Sequence, residues 1–339
     1  MIQDIKHFIA IHLKNDKSFK VIKGLEAFFT EPRYFFKLVR LRYYGSIKKY
    51  KKYPQHKFYV IANAWRSGFF ASFNYVLKNL IIADIKGYIP IIDMQNYKTL
   101  YNEDYKFKNT FNAWEYYFYQ PTKISLNEVY KSKNVKISGN GYSEIEVPLY
   151  KANGNKKPTK KQIEQLNCYI KKYIKIKPYV EDIVQRTQKD FSQFNKIVGV
   201  HVRATDMYTE GGHHPIPPGL QRIIPRIDFV LKKYGVDGIF VCTDDTGSLE
   251  ILQKRYGSKI ICTNSVRANK GSNTGIHHDK SLSNRKNHKY LLGLEVLVDM
   301  LLLSRCNLLI GGHSSVTYTA MMFNNNQYKK VYLLENRKD

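Results

Sequence analysis

Three short clusters in the second half of the chain carry side chains able to hold an anion and move a proton. They are His201-Val202-Arg203-Ala204-Thr205-Asp206, Thr243-Asp244-Asp245 and His313-Ser314-Ser315. A guanidinium presents planar, paired donors that match phosphate oxygens, which singles out Arg203. Ser314 and Ser315 stand before an apolar helical run, and the first amides and hydroxyls of a helix favour an anion. Together these residues describe a diphosphate site. Plainer duties compete with that reading: Ser314 and Ser315 could form an ordinary N-cap, and His201 could be a hydrogen-bonded core histidine.

Two carboxylates stand out beside them. Asp299 interrupts Leu294-Glu295-Val296-Leu297-Val298-Asp299-Met300-Leu301-Leu302-Leu303, a run apolar on nearly every face. A carboxylate there is costly without a partner, so a functional placement against a ligand's polar edge, a basic side chain or backbone amides is expected. Glu210 lies in the glycine-containing loop Met207-Tyr208-Thr209-Glu210-Gly211-Gly212-His213-His214-Pro215, where it could take a proton from an incoming hydroxyl or simply face water. Asp244 and Asp245 form no Asp-x-Asp triplet, so they are read as caps for the helix that follows, with Asp245 orienting a nearby cation. No metal is expected, and the charge of a departing diphosphate then falls to side chains and helix ends, Arg203 first among them.

These residues are useful only if strand ends bring them together. From residue 58 the chain reads as strand, glycine turn and helix: Phe58 to Ala62, Arg66 to Phe69, then Ala71 to Lys86, with a second strand from Tyr88 to Asp93. That is a βαβ unit and implies a parallel sheet. Helices are expected over Lys160 to Ile174 and Tyr179 to Phe191. A second series gives strands at Ile197 to Val202, Gly238 to Cys242, Lys259 to Cys262, Asn307 to Ile310 and Lys330 to Leu334. Helices at Leu220 to Tyr234, Gly247 to Tyr256, Lys289 to Ser304 and Val316 to Phe323 fall between them. The expected fold is α/β, with two Rossmann-like domains, residues 58–192 and 193–339, facing a cleft. Residues 1–57 form a basic, aromatic-rich and mostly helical extension. Ligands of such sheets bind beyond the carboxyl ends of the strands, where the polar clusters fall.

Composition narrows the function classes. The 339 residues are 43% hydrophobic and include 27 Tyr and 18 Phe, too apolar for a disordered chain. Four dispersed cysteines give neither a zinc pattern nor a disulfide framework. The formal charge of +27 implies anionic company. Residues 1–57 hold 14 Lys and Arg against 4 Asp and Glu, interleaved with Phe and Tyr, as a segment contacting an anionic membrane surface would. With no spanning stretch and no signal-peptide pattern, a cytoplasmic protein, peripheral at the inner membrane face, is expected. The same charge could serve nucleic acid, but the lysines are spread along the chain without a recognised binding motif.

At the clustered residues the sequence resembles the alpha-1,6 type of fucosyltransferase, including the core fucosyltransferase of N-glycans and the rhizobial nodulation enzyme. The resemblance runs through Val198-Gly199-Val200-His201-Val202-Arg203-Ala204-Thr205-Asp206, Thr209-Glu210 and His214-Pro215-Ile216. It continues through Cys242-Thr243-Asp244-Asp245, Asp299, Leu303-Ser304 and Ser314-Ser315. The N-terminal half resembles the family only in general layout. Two departures stand out: Ala204 where the family usually has a second Arg, and Met207 where it has Lys.

The resemblance implies a GT-B-type, inverting and metal-independent glycosyltransferase, with GDP-fucose as co-substrate and no other cofactor. Arg203 would contact the donor diphosphate, and His201, Asp299, Ser314 and Ser315 would hold the nucleotide. Glu210 would be the base, while Thr205, Asp206, Asp244 and Asp245 would support the site. The departures leave another nucleotide-sugar donor as the alternative. The acceptor is expected to be a saccharide, lipid-linked in keeping with the cationic surface. In Phe111-Asn112-Ala113-Trp114-Glu115-Tyr116-Tyr117-Phe118, a sugar could stack on Trp114, although such runs are more often core.

Overall fold

The computed structural model describes residues 52–62, 67–138, 157–204, 216–270, 276 and 284–335. In chain order its elements are β1 (Lys52–Ile61), α1 (Phe69–Ile85), β2 (Ile89–Ile92), α2 (Leu126–Tyr130), β3 (Ser132–Ile137), α3 (Lys160–Tyr173) and α4 (Pro178–Gln188). The second series is β4 (Ile197–Val202), α5 (Leu220–Tyr234), β5 (Gly238–Thr243), α6 (Thr246–Tyr256), β6 (Ile260–Ile261), α7 (His288–Ser304), β7 (Leu308–Gly312), α8 (Ser315–Asn324) and β8 (Lys330–Leu334). A three-stranded sheet has the order β2-β1-β3, and a five-stranded sheet the order β6-β5-β4-β7-β8.

Every pairing in the larger sheet is parallel. β4 and β5 are buried along their whole length, which explains their near-continuous apolar sequences, Ile-Val-Gly-Val-His-Val and Gly-Ile-Phe-Val-Cys-Thr. The two faces of the sheet carry different helices. Ile223, Ile227 and Val230 of α5 and Leu249 and Leu252 of α6 join Val198, Val200 and Ile310 in one core cluster. Leu297 and Leu301 of α7 and Ala320 and Met321 of α8 join Phe240, Cys242 and Leu309 in the other. The sheet is therefore doubly wound, and the change of face falls between the neighbouring strands β4 and β7. A crevice at the carboxyl ends of such a strand pair is the general ligand position of open α/β sheets.

By their contacts the described residues form a small unit, 52–58 with 124–136, and a large one containing the rest. In the small unit, Glu128 of α2 receives Lys52 Nζ at 2.7 Å and closes a capping box with Ser125. In the large unit, α7 is moored to the first half of the chain at its N-terminal end. Tyr117 stacks on Tyr290 at 5.6 Å between centroids and donates to the Tyr290 carbonyl at 2.8 Å. Glu103 accepts from the Tyr290 amide at 2.8 Å, and Lys289 pairs with Asp104 at 2.7 Å. Among the described residues no helix is long and apolar enough to cross a membrane.

Candidate functional site

β4 delivers His201 to the sheet end beside Cys242 of β5 and Gly311 of β7. The His201 ring is buried, with Nδ1 3.0 Å from Thr317 Oγ1 and 3.2 Å from Ser314 Oγ. Burial, reinforced by the positive charge of Arg203, lowers its pKa to about 3, so the imidazole is neutral. Ser314 is the N-cap of α8: its hydroxyl accepts from the Thr317 amide at 3.1 Å and lies 3.0 Å from Thr317 Oγ1. Capping and contact with His201 are thus one arrangement. Ser315 opens the helix, where unpaired amides and the helix dipole favour negative charge. The close approach of α8 requires a glycine at 311, since a Cβ there would sit 2.9 Å from Thr317 Oγ1.

Arg203 follows β4 and pairs with Asp244, which follows β5, at 2.8 Å between Nη1 and Oδ2. The other Asp244 oxygen accepts from the Ala204 amide at 3.0 Å, so one carboxylate fixes both backbone and side chain after β4. Asp245 caps α6 by accepting from the Ser248 amide at 2.6 Å. This corrects one expectation, because the cation is oriented by Asp244 and not by Asp245.

Asp299 projects from α7 into the same end of the sheet and is buried. Thr263, two residues beyond β6, donates to Asp299 Oδ1 at 2.6 Å. Burial raises the Asp299 pKa to about 6, against the opposing pull of Thr263, Arg267 and Cys242 and with added repulsion from Glu295. The arrangement therefore places a neutral imidazole, a guanidinium, a helix N-terminus and, beside β5 and β6, a buried acid at the carboxyl end of one sheet, a set suited to an anionic ligand with hydrogen-bond donors. Among the described residues no group of His, Cys, Asp and Glu is arranged to hold a metal ion.

Thr205, Asp206 and Glu210 lie outside the described residues, as do residues 1–51 of the basic extension. Trp114 is in the core. Its ring lies 6.2 Å from Phe73 and 4.4 Å from Phe118, and its Nε1 donates to the Tyr119 carbonyl at 3.2 Å. At 2% exposure it offers no face for a sugar, which corrects the acceptor-side expectation. Sequence reading missed Thr317, Thr263 and Arg267. Thr317 stands three residues after the N-cap Ser314, and Thr263 just beyond a strand, so the positional signals existed for both.

No model of a known protein family matches the chain. Among solved structures, it is similar to the fucosyltransferase NodZ from Bradyrhizobium, at 16% identity and a TM-score of 0.45, over 78% of this chain and 92% of that one. It is also similar to the NodZ alpha-1,6-fucosyltransferase soaked with GDP-fucose, at 16% identity and a TM-score of 0.46, over 79% and 92%. A third similar structure is a FUT1 mutant of Arabidopsis thaliana in complex with GDP, at 12% identity and a TM-score of 0.48, over 86% of this chain and 73% of that one.

Proposed function

We propose that the chain is an inverting, metal-independent glycosyltransferase that takes fucose from GDP-fucose and passes it to a hydroxyl of a saccharide acceptor. The observation that carries this reading is a convergence. His201, Arg203, Asp244, Asp299, Ser314 and Ser315, the described residues of the fucosyltransferase-like motifs that bear on the donor, come from different elements, and all lie at the carboxyl end of one parallel sheet. That is where open α/β sheets bind their ligands.

In the reaction, the acceptor oxygen attacks the anomeric carbon as the bond from that carbon to the diphosphate oxygen breaks. The acceptor proton passes to Glu210, and the leaving GDP carries away the bonding electron pair. Arg203, held by Asp244, and the N-terminus of α8 at Ser314 and Ser315 balance the charge that builds on the diphosphate. The neutral His201 and the ionised Asp299 hold the nucleotide by hydrogen bonds, while Thr205, Asp206 and Asp245 support the site. Attack opposite the leaving group inverts the anomeric centre, through a transition state with oxocarbenium character. Residues 193–339 then form the donor side of a GT-B-type pair and 58–192 the acceptor side. The protein works in the cytoplasm, with residues 1–57 resting on an anionic membrane that presents a lipid-linked acceptor. No cofactor beyond the nucleotide sugar takes part.

The test is a thermal-shift panel of GDP, GDP-fucose, other GDP-sugars, UDP and UDP-sugars, followed by transfer assays with the compounds that bind. A ligand bound only by the folded state raises the melting temperature. Stabilisation by GDP and GDP-fucose but not by UDP compounds is expected. Stabilisation by UDP-sugars alone replaces the donor, and steeply salt-dependent DNA binding with no nucleotide response ends the reading.

A further inference from the structure

Arg267 lies outside the motifs that mark the nucleotide site, yet it ties two parts of that site together. After β6 the chain turns back over the end of β5. There the Ala268 amide donates to the Asp244 carbonyl at 2.8 Å, and the Thr246 amide donates to the Ala268 carbonyl at 3.1 Å. Inside the turn the Arg267 guanidinium spans two carbonyls, with Nη1 donating to Ser265 at 2.8 Å and Nη2 to Thr263 at 2.9 Å. The hydroxyl of Thr263 donates its single proton to Asp299 Oδ1 at 2.6 Å, so Ser265 Oγ, 2.7 Å away, is the donor in their mutual bond. A relay therefore runs from Ser265 through Thr263 to Asp299, with its backbone stapled by Arg267.

The staple also brings charge. Arg267 Nε is buried without a hydrogen-bond partner among the described residues, so the guanidinium is only partly satisfied by its own turn. Its positive field acts on Asp299. Among the described residues, Cys242 from β5 and Glu295, one turn earlier on α7, also act on this acid. Glu295 is itself gripped at both oxygens by Arg285, at 2.5 and 2.9 Å. Burial and Glu295 favour the protonated acid, while Thr263, Arg267 and Cys242 favour the carboxylate.

We propose that Arg267 is a positioning residue of the nucleotide site, which by stapling the 263–268 turn and setting a positive charge near Asp299 presents that carboxylate, ionised, to the hydrogen-bond donors of a nucleoside diphosphate. The role rests on the nucleotide-sugar reading for its ligand and on the network alone for its action upon Asp299.

The experiment measures GDP affinity by calorimetry from about pH 5.5 to about pH 9 for the full-length wild type, Arg267→Gln and Arg267→Lys; a neighbouring charge moves a carboxylate by about 1–3 pH units. Arg267→Gln should bind GDP about threefold to tenfold more weakly near pH 7 and approach wild-type affinity near pH 9, since higher pH restores the ionised acid. Arg267→Lys keeps the charge and should recover most of the affinity near pH 7. A loss equal at every pH, or a profile that superposes on the wild type, overturns the proposal.

A second measurement needs no ligand. The melting-temperature gap between the wild type and Asp299→Asn opens near about pH 4 in either background, but the pH at which it stops widening should move upward when the same comparison is made in the Arg267→Gln background; an unmoved upper limit also overturns the proposal. If the wild type binds no GDP at any pH, the nucleotide-sugar reading fails, while the ligand-free comparison still decides whether Arg267 governs Asp299.

Discussion

Asp299→Asn isolates the cost of keeping a carboxylate at the buried end of the sheet. Burial moves this acid from its ordinary 3.8 to about 6. A displacement of about two pH units corresponds to roughly 3 kcal/mol of differential stability between protonated and ionised forms. The sign follows from proton counting. Between about pH 4 and about pH 6 the folded protein holds a proton that the unfolded chain has released, so stability falls as pH rises through that window, and the deficit is complete above it. Asn keeps an acceptor for Thr263 but does not ionise. The variant should match the wild type near pH 4 and exceed it near pH 7 by up to about 3 kcal/mol, less about 1 kcal/mol for altered hydrogen bonds. For a chain of this length that is a gain of roughly 3–4 °C in melting temperature.

Urea unfolding of both proteins at several pH values between those limits gives the difference directly, and His201 titrates in both and cancels. The same variant should lose nucleotide affinity near pH 7, because the favourable acceptor is gone. A stability difference that stays flat across the window would show that Asp299 does not carry the cost assigned to it.

Three other outcomes are expected. Arg203→Ala should lower turnover on the order of 10²- to 10³-fold, while its partly exposed pairing with Asp244 limits the stability loss to about 1 kcal/mol; steady-state transfer rates measured beside melts check both, and a fall in stability without a fall in rate would make Arg203 a structural strut. Gly311→Ala places a methyl 2.9 Å from Thr317 Oγ1 and 3.4 Å from the Cβ of His201, so a destabilisation of about 1–3 kcal/mol is expected from the urea midpoint. His201, lowered to about 3 by burial and then by Arg203, should be silent as a titrating group around neutrality. Its depressed value means that the stability it contributes is present above about pH 6.5 and is lost as pH falls toward about 3. An imidazole NMR signal for His201 that titrates near neutrality would contradict this.

The second half of the fold was legible because strands buried on both faces write continuous apolar runs. Ile197 to Val202 coincides with the fully buried β4, and the half-exposed Lys330 to Leu334 coincides with β8. Edges were less so. β6 is only Ile260–Ile261, because its pairing reaches no further than Ile239 and Phe240 of β5. β1 begins at Lys52, six residues before the expected strand, where exposed Lys-Tyr-Pro-Gln-His-Lys carries no apolar signal. Strand-end logic put His201, Arg203 and Asp244 at the carboxyl ends of β4 and β5, where they lie. The network behind them was hidden, since His201 and Thr317 are 116 positions apart and only a folded sheet makes them neighbours. Trp114 illustrates the converse: its residue type advertises stacking, but packing against Phe73 and Phe118 has already used the ring.

The mooring of α7 sets how motion would travel in this molecule. Tyr290 is held by Tyr117 and Glu103, and Asp299 stands nine residues further along the same uninterrupted helix, about 13 Å down its axis. Gly293 lets the Tyr117 hydroxyl sit where a methyl would clash at 2.3 Å. A push on the aromatic layer of the first half has no loop in which to dissipate before it reaches the buried acid. The helix acts as a lever, with one end gripped by rings and the other bearing the carboxylate.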